Sequence, residues 1–188
     1  FSLPVPGTHN IMNAMAALAI GCALKIEPKV ATERLSKFKP MAMRFEQIQL
    51  ANGVRLVNDS YNANPASMKA AFRTVGSAKR AGRFIVALGD MLELGEASYE
   101  LHKKLGEDAA RMGVNLLLTT GDYAEAVVEG AVSAGLDSES AKNCSTTDEI
   151  EKNLEDELKA GDVLLVKGSR GMRMERIVET LKHSIGTG

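Results

Sequence analysis

The chain has 188 residues, of which 45% are hydrophobic, and its 23 basic and 24 acidic side chains give a formal net charge of -1. That length fits one domain of ordinary size plus a smaller remnant. Because the charges balance and no Lys/Arg block is present, the chain lacks the positive surface that binding to a nucleic-acid backbone requires. The apolar runs are far shorter than the roughly 20 residues that cross a bilayer, which excludes a transmembrane helix.

The positions of the cysteines and histidines argue against two further classes of protein, disulfide-stabilised and zinc-binding. Cys22 and Cys144 lie far apart in sequence, which favours reduced thiols and a cytoplasmic protein over a disulfide framework. The three histidines form no cluster with metal-ligand spacing, so no zinc site is predicted. His102 and His183 are both expected at the surface.

Two helices are predicted at the N-terminal end. Ala and Leu at helical spacing predict a buried helix from Gly7 to Leu24, with Thr8 as its N-cap. A second helix is predicted from Pro28 to Phe38, and Pro40 then discourages further helix. We therefore place a boundary near residues 40 to 44.

A β-hairpin opens the second part of the chain. The runs Phe45–Leu50 and Val54–Asn58 flank Asn52-Gly53, a strong hairpin signal. Helices and strands then alternate, with these predicted bounds: helix 65–79, strand 83–88, helix 97–112, strand 115–119, helix 122–134, strand 142–144, helix 148–159, strand 162–166 and helix 172–183.

The predicted strands 84–88 and 163–166 are apolar without alternation, as strands covered on both faces should be. The fold class that follows is α/β: a Rossmann-like, doubly wound, mostly parallel sheet with an N-terminal antiparallel hairpin. A short helical remnant of another domain precedes it.

Polar residues follow four of the predicted strands, where the carboxyl ends of parallel strands form a ligand crevice. The charged and amide side chains in these loops are Asp59, Asn62, Asn64, Asp90, Lys167 and Arg170. Such a set suits a zwitterion, because a basic residue can hold a carboxylate while carboxylates or amides orient an amine. A structural interpretation stays open: Asn64-Pro65 is also a helix N-cap pair, the loop glycines suit turns, and the basic side chains can be solvated.

Further polar residues lie near the N-terminal end. Asn10 and Asn13 cluster with His9 at the start of one helix, where paired amides can bind a purine edge or simply cap the helix. Arg44 is either a cation that reaches from one unit of the chain to the other or an ordinary surface arginine. Neither a G-x-x-x-x-G-K-[ST] loop nor a G-x-G-x-x-G loop is present, so the chain alone should be neither an ATPase nor a dehydrogenase.

Taken together, the loops resemble those of the Mur ligases. The resemblance rests on five segments in the same order: Gly7–Ala14, Arg44, Asp59–Pro65 (DSYNANP), Gly89–Gly95 (GDMLELG) and Lys167–Met172 (KGSRGM). It is strongest to the members that add D-Ala-D-Ala to UDP-N-acetylmuramoyl-tripeptide in peptidoglycan precursor synthesis. The resemblance implies an ATP- and Mg²⁺-dependent amide ligase acting through an acyl phosphate.

The resemblance also implies roles for single residues. Asn10 and Asn13 would lie against adenine, Arg44 would reach the ribose and terminal phosphate in a catalytic role, and Asp59 would accept hydrogen bonds from ribose hydroxyls. The candidates for binding D-Ala-D-Ala are Asn62, Asn64, Asp90, Lys167, Ser169 and Arg170.

The sequence departs from the family pattern because the UDP-sugar domain, the phosphate loop and the metal ligands of the central domain have no counterpart here. Residues 1–43 resemble the last helices of the ATP-binding central domain, and residues 44–188 resemble the C-terminal domain that receives the acceptor. We expect a C-terminal fragment that is inactive alone. The alternatives are a fragment of another Mur ligase or a folylpolyglutamate-type ligase, or a non-catalytic Rossmann-like binding module.

Overall fold

A computed structural model describes residues 1–5, 7–39, 41–77 and 82–188, which divide into two compact units, Phe1–Met41 and Ala42–Gly188. The first unit contains helices α1 (Thr8–Ala23) and α2 (Pro28–Ser36). The proline stop predicted at Pro40 and the helix end predicted at Lys79 fall outside the described residues.

Helix α1 differs from its prediction in two ways. Its first residue is Thr8, so the N-cap position is Gly7 and not Thr8. The prediction of a buried helix is also wrong, since Ile11, Met12 and Ile20 are 55%, 62% and 61% exposed. Helical spacing of apolar residues predicts a helix with an apolar face, but it does not show which other element packs against that face.

The second unit alternates strands and helices. Their bounds are β1 (Glu46–Gln49), β2 (Arg55–Asp59), α3 (Pro65–Gly76), β3 (Phe84–Gly89), α4 (Ser98–Arg111), β4 (Leu116–Thr120), α5 (Ala124–Ser133), β5 (Ala141–Asn143), α6 (Thr147–Glu157), β6 (Val163–Lys167) and α7 (Glu175–Ile185). Helix α7 begins three residues later than predicted because a 3-10 turn at Arg170–Met172 and a left-handed Arg173 (φ 51°) precede it.

The strands form one six-stranded sheet in the order β1-β2-β6-β3-β4-β5. The β1–β2 pair is antiparallel, as the Asn52-Gly53 turn predicts, and the remaining pairs are parallel. The predicted fold class is confirmed. Because β6 lies between β2 and β3, Lys167 pairs with Asp59 on one side and Leu88 on the other. The loops after β2, β6, β3 and β4 therefore follow one another along one edge, called here the carboxyl edge.

Successive strand residues face two separate apolar cores. In β3, Ile85 packs in the core that includes Ile150 of α6 and Ile177 of α7, while Val86 packs in the core that includes Phe72 of α3. Helices α4 and α5 also contribute to the core of α3. Both faces of the sheet are covered, which accounts for the purely apolar strand sequences. Within the described residues, no helix is long and apolar enough to cross a bilayer.

Candidate functional site

An ion pair between the buried Lys167 and the partly buried Asp59 joins two neighbouring strands at the carboxyl edge. Lys167 is only 2% exposed, so the solvated alternative for this residue is wrong. Its Nζ donates to Asp59 Oδ2 at 2.6 Å, to Asn62 O at 2.9 Å and to Asp59 O at 3.4 Å. An ammonium group has three donors, so all three are directed at the end of β2 and the loop that follows it. Lys167 thereby fixes the position of that loop.

The turn that carries Arg44 is attached to the same loop. Asp59 Oδ1 accepts a hydrogen bond from Phe45 N at 3.0 Å, and Tyr61 N donates to Met43 O at 3.1 Å. Met43 and Phe45 have φ values of 64° and 53°, a left-handed conformation that costs free energy in non-glycine residues. These bonds hold Arg44 at the turn apex, with its guanidinium 4.0 Å from the ring centroid of Tyr61. Arg44 is an exposed cation with a defined position.

The two asparagines of the loop after β2 have local partners. Asn64 Oδ1 accepts from Ser67 N at 2.8 Å, and Ser67 Oγ accepts from Asn64 N at 3.1 Å, which forms a capping box at the start of α3. The N-cap interpretation of Asn64-Pro65 is therefore confirmed. Asn62 Oδ1 accepts from Ala63 N at 2.8 Å. A ligand role for either amide stays a prediction.

Asp90 joins the loop after β3 to the loop after β4. It is 3% exposed, and its carboxylate accepts from Asp122 N at 2.7 Å and from Tyr123 N at 3.3 Å. Gly121 has φ 127°, and a Cβ at this residue would collide with the Asp90 carboxylate, so glycine is required on two grounds. Burial raises the pKa of Asp90 above its usual value, although the two backbone N–H groups act in the opposite direction.

His102 is fully buried, so its predicted surface position is wrong. Its Nε2 accepts from Met91 N at 2.9 Å, its Nδ1 lies 2.6 Å from Ser98 O, and its ring stacks on Tyr123 with a centroid separation of 4.7 Å. Asp90 Oδ1 lies 3.7 Å from Nε2, which is beyond hydrogen-bond distance. The i, i+4 spacing of Ser98 and His102 is the one feature of the sequence that could have indicated these contacts. The same spacing is also found on a solvated helix face.

The loop after β6 is joined to the loop after β3. Ser169 N donates to Asp90 O at 3.0 Å, and Ser169 Oγ accepts from Leu92 N at 2.8 Å. Arg170 extends from this junction with 58% of its side chain exposed and donates to Glu175 Oε1 at 2.8 Å. The carboxyl edge therefore presents an accessible guanidinium above a buried hydrogen-bond network.

The other predicted residues belong to the first unit. Asn10 and Asn13 both lie on α1, where Asn13 is exposed and Asn10 N donates to Gly7 O. The side chain of His9 falls outside the described residues. Across the described ranges, no group of three or more His, Cys, Asp or Glu side chains could hold a metal ion.

Residues 43–170 match the family described as Mur ligase, glutamate ligase domain. The chain belongs to the Mur ligase family. It is 36% identical over 184 residues to the UDP-N-acetylmuramoyl-tripeptide--D-alanyl-D-alanine ligase of Bacillus subtilis, covering 98% of this chain and 40% of that relative. The corresponding ligase of Escherichia coli is 32% identical, with 97% and 39% covered.

Solved Mur ligase structures have the same fold. A crystal structure of MurF from Acinetobacter baumannii aligns with a TM-score of 0.86 and 30% identity, over 97% of this chain and 39% of that one. MurF from Thermotoga maritima in complex with ADP aligns with a TM-score of 0.79 and 25% identity, over 96% and 39%. The chain spans about 40% of the length of the relatives it matches.

In this Mur ligase domain, the structure links two groups that sequence reasoning kept apart. Asp59 was predicted to bind nucleotide and Lys167 to bind the acceptor, yet the two side chains form one ion pair. Asp90, Ser169 and Arg170 are brought together, as predicted for one edge. Sequence reasoning missed Tyr61 and His102 as members of the network.

Proposed function

We propose that this chain is part of an ATP-dependent ligase that joins D-Ala-D-Ala to UDP-N-acetylmuramoyl-tripeptide, at work in the cytoplasm. The observation that supports the proposal is the carboxyl edge, where an exposed Arg170 and a fixed Arg44 flank the ion pair of Asp59 and the buried Lys167. The substrates in this proposal are those named for the 36% and 32% identical relatives. In this proposal residues 1–43 are the last helices of the ATP-binding central domain, and residues 44–188 receive the acceptor.

ATP supplies the phosphoryl group that converts the tripeptide carboxylate into an acyl phosphate, and the dipeptide amine then displaces phosphate to form the amide bond. The contribution of this chain is to place the acceptor amine and to add positive charge near the nucleotide. Mg²⁺ belongs to the same proposal, with its ligands in a part of the protein outside these 188 residues.

Arg170 is the residue that we assign to the dipeptide carboxylate. Its guanidinium is accessible and can bind a carboxylate through two parallel hydrogen bonds. Ser169 and Asp90 hold the loop from which Arg170 extends, and Asn62 and Asn64 lie on the exposed rim of the neighbouring loop. The three donors of Lys167 already have acceptors within the protein, so we assign it to positioning Asp59 instead of binding substrate.

The nucleotide role of Asp59 is compatible with its partners. Each carboxylate oxygen accepts one hydrogen bond, from Phe45 N or from Lys167 Nζ, so each retains a lone pair for a ribose hydroxyl. Arg44 is oriented by Tyr61 and would neutralise charge on the phosphates. Asn10 and Asn13 would contact adenine from α1.

The test is ligation by the complete protein with ATP, Mg²⁺, UDP-N-acetylmuramoyl-tripeptide and D-Ala-D-Ala, with detection of pentapeptide and ADP. The 188-residue chain alone is expected to give no product. ADP formation only with a single amino acid in place of the dipeptide would indicate another Mur or folylpolyglutamate-type ligase. No ADP formation with any acceptor would indicate a binding module.

Two variants of the complete protein test the nucleotide assignments. Arg44→Ala and Asp59→Ala should each raise the KM for ATP. An unchanged KM for ATP would remove the altered residue from the nucleotide site.

A further inference from the structure

His102 contacts two of the loops that form the carboxyl edge. It projects from α4 and accepts a hydrogen bond from Met91 N, in the loop after β3. Its ring stacks on Tyr123, which follows β4, with an interplanar angle of 19°. None of the roles assigned above uses this residue.

The partners of His102 define its protonation state. Ser98 O is a carbonyl oxygen and can only accept, so Nδ1 carries the proton. Met91 N–H can only donate, so Nε2 carries the lone pair. The ring is therefore the neutral Nδ1–H tautomer, and its 3.7 Å approach to Asp90 is not an ion pair. His102 acts as a hydrogen-bond acceptor at Nε2.

Met91 is the residue through which His102 reaches the site. Its neighbour Asp90 accepts from Ser169 N, and its other neighbour Leu92 donates to Ser169 Oγ. Met91 is 1% exposed, so its N–H has no access to bulk solvent if the histidine acceptor is removed. The bond to His102 thus fixes the backbone segment on which Ser169, and with it Arg170, is held.

We propose that His102 is a positioning residue that sets the acceptor-binding loops through Met91, an inference that rests on the proposed function. It contacts no substrate itself. Loss of the Nε2 acceptor shifts the Asp90–Leu92 segment and with it the Ser169–Arg170 junction, so binding of the dipeptide weakens. The nucleotide side of the edge, held by Asp59 and Lys167, is unaffected.

Two amide substitutions of His102 each retain one of the two hydrogen bonds that the ring makes and remove the other. In His102→Gln the longer side chain places its carbonyl oxygen near the Nε2 position, where it can accept from Met91 N–H. In His102→Asn the shorter side chain can still donate to Ser98 O but does not reach Met91. For both variants and the wild type of the complete protein, we measure the Tm and the steady-state kinetics. The concentrations of D-Ala-D-Ala and ATP are varied separately.

We expect His102→Asn to raise the KM for D-Ala-D-Ala about tenfold, with the KM for ATP within about twofold of the wild type, while His102→Gln stays close to the wild type. Equal effects of the two variants, or equal rises in both KM values, would overturn the proposal. Hydrogen exchange of the peptide covering residues 89–95 gives a second measurement, expected to accelerate in His102→Asn only. If the wild type does not use D-Ala-D-Ala, the proposed function fails, and this exchange comparison alone decides the role of His102.

Discussion

Both edges of the sheet contain a buried carboxylate, but the two carboxylates have different hydrogen-bond partners. At the opposite edge, where the parallel strands begin and which is called here the amino edge, Asp162 precedes β6. Its carboxylate accepts hydrogen bonds from Arg83 N at 2.9 Å, from Lys159 N at 3.0 Å and from the Arg83 guanidinium at 2.8 Å. At the carboxyl edge, Asp90 accepts two backbone N–H groups and faces a neutral His102. One carboxylate has a cationic partner, and the other does not.

The pKa values of these carboxylates shift in opposite directions. Burial alone raises the pKa of Asp162, but hydrogen bonds from the Arg83 side chain and from the backbone N–H groups of Arg83 and Lys159 lower it overall. Burial raises the pKa of Asp90, and no cation reverses the effect. Asp162 is thus neutralised by a cation within the domain, whereas Asp90 is not, and the carboxyl edge also carries the exposed arginines Arg44 and Arg170.

Lys167→Met should have the largest effect on stability, because it leaves the Asp59 carboxylate without its buried cation. We expect a loss of about 3 to 5 kcal/mol in the free energy of unfolding, measured by urea denaturation. Lys182→Met is the matched control, since it removes only a surface pair with Glu179 and should cost less than about 1 kcal/mol. Equal losses in the two variants would show that the buried pair does not hold the edge together.

Asp162→Ala should destabilise the amino edge by about 2 kcal/mol, because backbone N–H groups lose their acceptor while Arg83 remains partly solvated. In the complete protein the KM values for ATP and D-Ala-D-Ala should not change below the unfolding temperature. Glu157→Gln, which removes the charge of the more exposed partner of Arg83 and a 3.8 Å contact with Lys142, serves as the control. A selective rise in either KM would contradict the purely structural role of this edge.

Arg170→Ala should raise the KM for D-Ala-D-Ala by the equivalent of about 1.5 to 3 kcal/mol, the size of a charged hydrogen bond. Stability should barely change because the side chain is 58% exposed. Arg176→Ala on α7 removes a comparable exposed arginine, paired with Asp148, and should leave both KM values unchanged. If Arg170→Ala affects only the KM for ATP, Arg170 belongs to the nucleotide and not to the acceptor.

The opposite pKa shifts predict opposite pH dependences. Asp162 contributes stability above its unfolded pKa of about 3.9 that is lost as the pH falls through its lower folded pKa. Asp90 contributes stability below about 3.9 that is lost as the pH rises through its higher folded pKa. The free energy of unfolding is measured for Asp162→Asn, Asp90→Asn and the wild type at pH values below and above about 3.9. The stability that the wild type has in excess of Asp162→Asn should increase with pH, and its excess over Asp90→Asn should decrease with pH. Slopes of the same sign would refute the contrast between the edges.

Tyr61→Ala should have the smallest effect, since it removes only the ring beneath Arg44. We expect a loss of about 0.5 to 1 kcal/mol, seen as a rise of a few fold in the KM for ATP. Tyr61→Phe keeps the ring and should behave like the wild type. Equal defects in Tyr61→Phe and Tyr61→Ala would assign the function to the hydroxyl group and not to the ring.

Local signals in the sequence predicted most of the fold. The Asn52-Gly53 turn fixed the hairpin, and the apolar runs of β3 and β6 correctly indicated strands covered on both faces. Parallel strands also predicted which loops share an edge. The predicted burial of α1 did not follow from its apolar spacing, because periodicity describes the helix and not the surface against which it packs.

Side-chain pairing within the site was much less predictable. Lys167 and Asp59 are separated by 108 positions, and nothing in the sequence indicates that their side chains meet, although both loops were expected at one edge. His102 was misplaced because a polar residue beside an apolar stripe more often faces solvent than supports a neighbouring loop. Sequence patterns identified the loops, whereas the hydrogen-bond partners required the three-dimensional register of the strands.

Hydrogen exchange of the complete protein on addition of D-Ala-D-Ala, in the presence of UDP-N-acetylmuramoyl-tripeptide and a non-hydrolysable ATP analogue, shows directly which edge of the sheet binds the dipeptide. The carboxyl-edge peptides covering residues 89–95 and 167–173 should become protected when the dipeptide is added. The amino-edge peptide covering residues 157–163 should exchange at an unchanged rate. Protection at the amino edge, or no added protection at the carboxyl edge, would show that the carboxyl edge does not bind the acceptor.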